Sequence, residues 1–445
     1  MTREPRRTAG SRRLGATKRS GLGFAGIVWV AVAAAVVLVG TLLRTTLPPV
    51  RTYTPDEQTY TTFAAGLSES GLGQYGRTVR EFAKDSTLAE LPPPTRAGFL
   101  VLAAAAMKLI GSDTPRAIVA LSTAASVLVL VAAVLAAGLL ASSGAAAITA
   151  VLLAVSPMDL AIARRAWQDD VFALCGAAIL AAVAWRASRR RFESNAAGRR
   201  EAATRSTAAP TIAFFALSGW ALLVKESALP LLALGTALLA WWSWREGGVR
   251  AALPILGGFV VTLGAITGLL AGLAGWAPVA RTWQAFLSSP ATNAYVRKYQ
   301  TGSPLYYAQG LLILQPLAAV LGAAGTAIGV ARPRWLAARS EASRRALFAL
   351  AVMTAGFVVI TVLLPVKSLR FLSPAVAPAA LLGAAALVAG LRALRTRTST
   401  ATFRFATAAV TVVLAFAAWQ DLRRFYDLFV RRAIPDLATP WFTAK

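Results

Sequence analysis

Residues 24–43 read Phe-Ala-Gly-Ile-Val-Trp-Val-Ala-Val-Ala-Ala-Ala-Val-Val-Leu-Val-Gly-Thr-Leu-Leu, with no charged side chain among them. A run of about 18 or more apolar residues is long enough to cross the hydrocarbon core of a bilayer as a helix. Only helices and closed barrels satisfy their backbone groups inside lipid, and this run lacks the period-two alternation of a barrel strand. Similar, almost uncharged runs lie at 116–141, 211–244, 251–275 and 405–419. The sequence therefore predicts an all-α polytopic membrane protein.

The charge of the chain is strongly positive, with a formal net charge of +27 over 445 residues. Such an excess can indicate a nucleic-acid-binding protein. Here the basic residues lie in short loops between apolar runs, as in residues 186–205, where they act as topology signals, so no nucleic-acid partner is expected. The single cysteine, Cys175, lies in an apolar run, and there is no histidine. Acid–base chemistry must therefore depend on carboxylates.

The topology follows from the basic residues. The N-terminal tail, residues 1–23, predicts a cytoplasmic N-terminus, and the first apolar run is too long for a signal-peptide core, so we expect it to stay as a helix. The short apolar stretch 97–110 is predicted to lie in the interface, because a crossing there would put residues 186–205 outside. The prediction is a bundle of about eleven spans, with further helices near 116–140, 144–158, 171–187, 210–224, 228–244, 251–275, 305–330, 346–365, 371–391 and 403–420.

The predicted domain organisation is a transmembrane domain over residues 24–420. Its first external loop, 44–115, carries interfacial helices, a second external loop spans 276–304, and a short external C-terminal tail covers 421–445. This tail is short and basic, so we expect acceptor recognition to come from the two loops. The predicted location is the plasma membrane.

Two acidic motifs lie at the predicted outer surface. Asp56 and Glu57 directly follow Pro55 after the first helix, and Asp169 lies five residues after Arg164 in a loop before a returning helix. A purely structural interpretation is available for each motif, because acids in a first helical turn complement the helix dipole and an interfacial Arg–Asp pair contributes little.

Two cationic motifs lie between apolar spans. Lys225 precedes Glu226 where one long hydrophobic segment would otherwise run, and Lys367 and Arg370 lie at the outer end of a helix pair. Each cation could mark a helix turn or extend to the interface. Together, the four motifs bring carboxylates and cations to one face, as a reaction with a carboxylate base and a phosphate leaving group requires.

The order and spacing of these motifs resemble the polyprenyl-phosphate-sugar-dependent C-type (GT-C) transferases of the protein mannosyltransferase type, glycosyltransferase family 39. In that family an Asp-Glu pair follows the first helix, and an Arg with an Asp five residues on follows the third span. Three later segments are also similar, namely Gly219–Lys225, Pro304-Leu-Tyr306-Tyr307 and Arg370-Phe371-Leu-Ser-Pro374. Phe371 replaces the family's usual tyrosine. The resemblance covers most of residues 24–391.

The resemblance implies a GT-C bundle that transfers a monosaccharide, at family level mannose, from a polyprenyl phosphate to an acceptor hydroxyl on the extracytoplasmic side. Asp56 would be the base, and Glu57 and Asp169 would position acceptor or sugar hydroxyls. Lys225, Lys367 and Arg370 would hold the phosphate. The matching residues Arg164, Tyr306 and Tyr307 would contribute to substrate binding.

The cofactor and acceptor are left open. No metal is required when cations hold the leaving group, although Asp56, Glu57 and Asp169 could also hold Mg²⁺ or Mn²⁺. The partners expected besides membrane lipids are the lipid-linked sugar and a protein, lipid or glycan acceptor. Two other functions remain as alternatives: a transporter or flippase, which would share the spans but place ionisable residues near the midplane in related halves, and a noncatalytic scaffold.

Overall fold

The computed structural model describes residues 24–48, 50–84, 93–189, 200–336 and 338–443, and every regular element in these ranges is helical. The predicted tail 1–23 and part of the basic segment 186–205 lie outside them. The helices are α1 (Phe24–Thr46), α2 (Pro55–Ser70), α3 (Leu72–Phe82), α4 (Ala97–Ile110), α5 (Pro115–Leu140), α6 (Ser143–Ala154), α7 (Pro157–Ala163), α8 (Asp169–Ser188), α9 (Arg200–Val224), α10 (Leu229–Ala274), α11 (Trp276–Thr292), α12 (Ala294–Tyr299), α13 (Tyr306–Leu314), α14 (Pro316–Ala331), α15 (Glu341–Leu363), α16 (Ser373–Arg397), α17 (Thr400–Phe425) and α18 (Pro440–Thr443).

Seven helical segments in the described ranges are long and apolar enough to cross a membrane. The helices α6 and α7 are bent by 59° and together form an eighth candidate span. The 46-residue α10 has non-helical backbone at Gly247 and Gly248, where the sequence predicts two spans separated by a loop. A multi-span helical membrane protein is thus confirmed. The count of eleven stays a prediction, and it would need α10 to cross twice and the shorter apolar helices α9 and α14 to cross as well.

The predicted external loop 44–115 contains three short helices, α2, α3 and α4. The last of these has the bounds predicted for the interfacial stretch, Ala97–Ile110. With 14 residues at about 1.5 Å each, it is too short to cross a hydrocarbon core of about 30 Å. It packs against α2, α5 and α9, so this loop is part of the bundle.

The helices approach one another through small residues. A Cβ atom on Gly325 of α14 would overlap the backbone of Gly383 on α16, and one on Gly383 would overlap the backbone of Leu321. Such contacts hold membrane helices together where lipid provides no hydrophobic drive between them. The central helix α8 packs against α5, α9, α15 and α16, and this position brings its first turn into the interior of the bundle.

The C-terminal segment after α17 returns to the bundle. Leu437 accepts a backbone hydrogen bond from Leu369 at 3.1 Å. Thr439 is bonded to Tyr306 twice, through its N–H to the phenol oxygen and through its hydroxyl to the backbone oxygen, each at 2.9 Å. The segment therefore docks beside the turn that precedes α16.

Candidate active site

The first site element is the start of α2. Thr54 is the N-cap residue, and Pro55 occupies the first helical position, where its missing N–H costs nothing. Asp56 and Glu57 then fall in the first turn and point in different directions. The Asp56 side chain is 39% exposed, whereas that of Glu57 is fully buried.

Glu57 anchors the start of α2 to the loop before α8. Its carboxylate accepts hydrogen bonds from the backbone and the hydroxyl of Thr54 at 2.7 and 3.0 Å. It also accepts from Arg165 and from the backbone of Ala166, both at 2.9 Å. Four donors occupy this carboxylate, which therefore holds the two site segments together. Contact of Glu57 with a substrate stays a prediction.

Asp169 and Lys225 form a buried ion pair that joins α8 to the break between α9 and α10. Lys225 Nζ lies 2.5 Å from Asp169 Oδ1. The ring of Phe371 lies 4.6 Å from the same ammonium group, so this aromatic residue covers the cation. The second carboxylate oxygen of Asp169 is buried and has no hydrogen-bond partner.

Arg370 lies between Asp56 and a carboxylate from the C-terminal segment. Its guanidinium is 3.7 Å from Asp56 and 3.3 Å from Asp436. The Trp167 ring lies 4.3 Å from the same group. The Arg370 side chain is only 9% exposed. Its contacts come from three protein segments, which carry Asp56, Asp436 and Trp167. The structure thus brings together Asp56 and Arg370, which the sequence predicted as site residues, with Asp436, which it did not.

A second unpredicted group is Arg96, just before α4. It makes a two-pronged ion pair with Glu226 and donates a hydrogen bond to the hydroxyl of Tyr60. Glu226 is the neighbour of Lys225, so this pair fixes the helix break that presents Lys225 to Asp169. A signal was present in the sequence, since Glu226 is an acid between apolar spans and such a group needs a partner.

Four predicted site residues make other contacts. Arg164 donates to the carbonyl of Pro48. It makes no ion pair with Asp169, so the structure does not contain the interfacial Arg–Asp pair that a purely structural interpretation predicts for these two residues. The ammonium of Lys367 is bonded to the carbonyl oxygens that end α15, at 2.7 and 2.9 Å. Tyr306 holds the C-terminal segment, and the Tyr307 hydroxyl accepts from the backbone of Ser368 at 3.4 Å. Their roles in substrate binding remain predictions, and their contacts here are structural.

Several buried polar atoms of the segments that carry Asp169 and Arg370 have no hydrogen-bond partner. Four of them are Trp167 Nε1, Gln168 Oε1, Asp169 Oδ2 and Ser368 Oγ, and Arg370 Nε has only its ion-pair contact with Asp436 at 3.3 Å. Native proteins rarely leave buried polar groups unpaired, and such groups need an explanation, for example a water or ligand that completes the site. These unpaired atoms distinguish the region from Glu57, whose carboxylate is bonded to four protein donors.

The pKa of the Asp56 carboxyl is raised above its ordinary value. Burial is the largest cause, opposed by the charges of Arg370 and Arg96 and supported by those of Asp436 and Asp169. A raised pKa makes a carboxylate a stronger base once it is ionised, which suits proton abstraction. Charges from four different segments of the chain thus act on the Asp56 carboxyl.

The positions of the acidic side chains bear on the metal alternative. In the part of the chain that the structure describes, no three His, Cys, Asp or Glu side chains lie together as a metal-ion site. Glu57 is bonded to four protein donors, so it does not join Asp56 and Asp169 in a shared ligand set. Glu57, Asp56 and Asp169 therefore do not form the three-carboxylate set for Mg²⁺ or Mn²⁺ that the sequence left open, and the need for a metal stays a prediction.

The fold is similar to solved structures of membrane glycosyltransferases. An oligosaccharyltransferase from Archaeoglobus fulgidus tethered with an acceptor peptide matches with a TM-score of 0.54 and 14% identity, over 90% of this chain and 55% of that chain. The archaeal oligosaccharyltransferase AglB from the same organism, in complex with an inhibitory peptide and a dolichol-phosphate, matches with a TM-score of 0.53 and 15% identity, over 93% and 59%. ArnT from Cupriavidus metallidurans in the apo state matches with a TM-score of 0.48 and 17% identity, over 94% and 74%. No protein-family model matches the chain, and no curated protein sequence does.

The archaeal matches confirm the predicted GT-C fold class, and at these identities they show the fold alone. The chain spans little more than half the length of these oligosaccharyltransferase structures. The narrower assignment to glycosyltransferase family 39 stays a prediction. Function must therefore be argued from the site itself.

Proposed function

We propose that this chain is a membrane glycosyltransferase that moves a monosaccharide from a polyprenyl-phosphate donor to an acceptor hydroxyl on the extracytoplasmic face. The observation that carries the proposal is the pairing of Asp56 with Arg370 inside a charged cluster. Asp56 is the partly exposed carboxylate of this cluster, Arg370 is the buried cation next to it, and Lys225 is a second buried cation, paired with Asp169.

The proposed reaction is a displacement at the anomeric carbon. Asp56 takes the proton from the acceptor hydroxyl as its oxygen bonds to that carbon, and the bond between the carbon and the phosphate oxygen breaks. The polyprenyl phosphate leaves with the electron pair. Arg370 and Lys225 stabilise the negative charge that develops on it, because cations fixed in a site that excludes water act strongly on such charge. Asp169, with its unpaired oxygen, accepts a hydrogen bond from a sugar hydroxyl.

The comparisons support the donor class. The AglB structure is a complex with a dolichol-phosphate, which is a polyprenyl phosphate lipid, and its fold covers 93% of this chain. The sugar and the acceptor are proposed by chemistry only: a hexose such as mannose, and a hydroxyl of a protein, lipid or glycan.

The test is donor turnover in membranes that contain the full chain. Membranes would be incubated with polyprenyl phosphates carrying radiolabelled mannose or glucose, and release of the lipid phosphate would be followed. We expect Asp56→Asn to reduce turnover by about 10²- to 10⁴-fold, the usual contribution of a general base. The matched control is Glu69→Gln at the exposed end of the same helix, which should leave turnover unchanged. Unchanged turnover in Asp56→Asn would refute the mechanism.

The proposed side of the membrane has its own test. Cys175 is the only cysteine, so a Cys175→Ala chain with Gln58→Cys carries one thiol, at an exposed position beside Asp56. An impermeant maleimide added outside intact cells should label it. Protection of this thiol until the membrane is opened would place the site on the cytoplasmic side.

A lipid-linked sugar flippase is the second candidate, and the 59° bend between α6 and α7 favours it because transporters use broken helices. Beside this bend, Arg44 is buried and bonded to the carbonyls of Leu153 and Ala154. Both functions would bind the same lipid. A flippase moves the labelled donor across vesicles without releasing lipid phosphate, so the turnover measurement separates the two.

A further inference from the structure

The C-terminal segment brings a carboxylate to the site, although the sequence predicted that acceptor recognition would come from the two external loops alone. Asp436 is 5% exposed and lies in the irregular stretch between Arg432 and α18. An acid is rarely buried unless it is paired or bonded to several donors. Its contacts therefore indicate what the segment does there.

The side-chain contacts of Asp436 with other segments lead to Arg370 and to the second external loop. One carboxylate oxygen lies 3.3 Å from Arg370 Nε and accepts the backbone N–H of Leu437 at 2.7 Å. The other oxygen accepts the hydroxyl of Tyr295 at 2.6 Å and the amide of Gln300 at 3.4 Å. The segment and the loop therefore hold one carboxylate against the back of Arg370, whose far end faces Asp56.

We infer that Asp436 is a positioning residue that holds Arg370 beside Asp56 and the leaving phosphate. This inference rests on the proposed function and deepens it. Arg370 has two acids within reach, and the closer one is Asp436, at 3.3 Å against 3.7 Å for Asp56. A guanidinium anchored from behind loses little freedom when it meets a substrate phosphate, so the anchor increases the rate of the chemical step.

The arrangement also explains why Asp56 stays free enough to act as a base. If Arg370 had Asp56 as its only acidic partner, the two would be expected to close into a tight pair that holds Asp56 ionised but occupied. Asp436 draws the guanidinium toward itself instead. Four charged groups from four different segments act on Asp56, namely Arg370 before α16, Arg96 before α4, Asp169 on α8 and Asp436 in the C-terminal segment.

The experiment compares Asp436→Asn with the wild type in membranes containing the full chain, using the labelled polyprenyl-phosphate mannose and glucose as donors. We expect kcat to fall by about 10- to 100-fold, because misplacement of a catalytic group by about 1 Å costs up to that factor, with a change in donor KM under about threefold. The acid limb of the pH–rate profile should move to lower pH, since the charge of Asp436 raises the pKa of Asp56. Asp436→Glu keeps the charge and should recover part of the rate.

Two further variants complete the test. Asp427→Asn removes an acid of the same segment that is 48% exposed and paired only with Arg431, so kcat and the pH profile should not change. Tyr295→Phe removes one donor to Asp436 while the rest of the site stays, and we expect a smaller loss of kcat. Size-exclusion chromatography of each detergent-solubilised variant would report whether it folds.

The outcomes are distinguishable. A wild type that releases no lipid phosphate from either donor refutes the proposed function and this inference with it. An active wild type whose Asp436→Asn form keeps its rate and pH profile refutes the inference alone. If Asp436→Asn does not fold, Tyr295→Phe and Asp436→Glu decide, because two folded variants with wild-type kcat and acid limb would show that Asp436 is only structural.

Discussion

Replacing Lys225 by methionine removes the cation of the buried pair with Asp169 and keeps an apolar side chain of similar length. The two side chains are 2% and 0% exposed, and their charged atoms are 2.5 Å apart. Breaking a buried ion pair from one side costs about 3–5 kcal/mol, since the remaining charge is left without a partner. We expect Lys225→Met and Asp169→Asn each to lower the free energy of unfolding by an amount in this range.

The double variant separates stability from activity. With both charges removed, no buried charge is left over, so the summed cost of the single variants should exceed that of the double variant by about 1–3 kcal/mol. Turnover should not return, because the proposed phosphate ligand is absent in Lys225→Met and in the double variant. Stability restored without activity is the pattern expected for a pair that serves the reaction as well as the fold.

The assay is SDS-induced unfolding of the purified protein in mixed micelles, followed by tryptophan fluorescence, with donor turnover measured on the same preparations. Lys108→Met is the matched control, because Lys108 is an exposed lysine on α4 and its loss should change stability by under about 0.5 kcal/mol. Strictly additive losses in the two single variants would refute the buried pair. Full turnover in Lys225→Met would refute its role in holding the phosphate.

Three further predictions concern the surroundings of this pair. Glu57→Gln should lower the free energy of unfolding by about 3–5 kcal/mol because it leaves Arg165 buried without its carboxylate, measured by the same SDS titration. The apparent pKa of the acid limb of the kcat/KM profile should lie above the ordinary aspartate value of about 3.9, because burial raises the pKa of Asp56 and a base acts only when ionised. An apparent pKa at or below that value would exclude Asp56 as the base. Gly76→Ala should reduce the yield of folded protein, because the added Cβ would overlap the carbonyl oxygen of Leu273, and an unaffected yield would show that α3 can move away from α10.

The helices that could be predicted from the sequence are those whose apolar runs decide their position without help from other segments. The run at 24–43 became α1 (Phe24–Thr46), and the helix expected near 116–140 became α5 (Pro115–Leu140). The sequence predicts that the stretch 97–110 lies in the interface, because a crossing there would put the basic residues 186–205 outside. The structure gives this helix the same bounds. The orientation of the bundle in the membrane stays a prediction.

The site could be predicted only in part from the sequence. Some of its residues stand out against their immediate sequence neighbours, whereas others depend on contacts with distant segments. Asp56 lies in the short polar stretch that follows the first apolar run, and Asp169 directly precedes another apolar run, so both acids are visible in the sequence. Asp436 lies in a basic tail, and its burial depends on Leu437 and Thr439 docking against residues about 70 and 130 positions away, a contact that no local pattern records. Lys367 shows the opposite case, since its position suggested a phosphate ligand, whereas its ammonium binds carbonyls at the end of α15.

The arrangement of charges argues for a site rather than for a set of structural ion pairs. The pairs Glu57–Arg165 and Arg96–Glu226 are each bonded through at least two hydrogen bonds at the acid, and they fix the loop before α8 and the break before α10. Between them, Asp56 has only a loose contact with Arg370, and Asp169 keeps one buried oxygen without a partner. A protein that needed these charges for stability alone would be expected to pair them fully, because an unsatisfied buried group costs about 1–3 kcal/mol. Asp56 and Asp169 thus keep bonding capacity beside the Arg370 and Lys225 cations, and a substrate with an anionic phosphate and several hydroxyls offers partners to these groups.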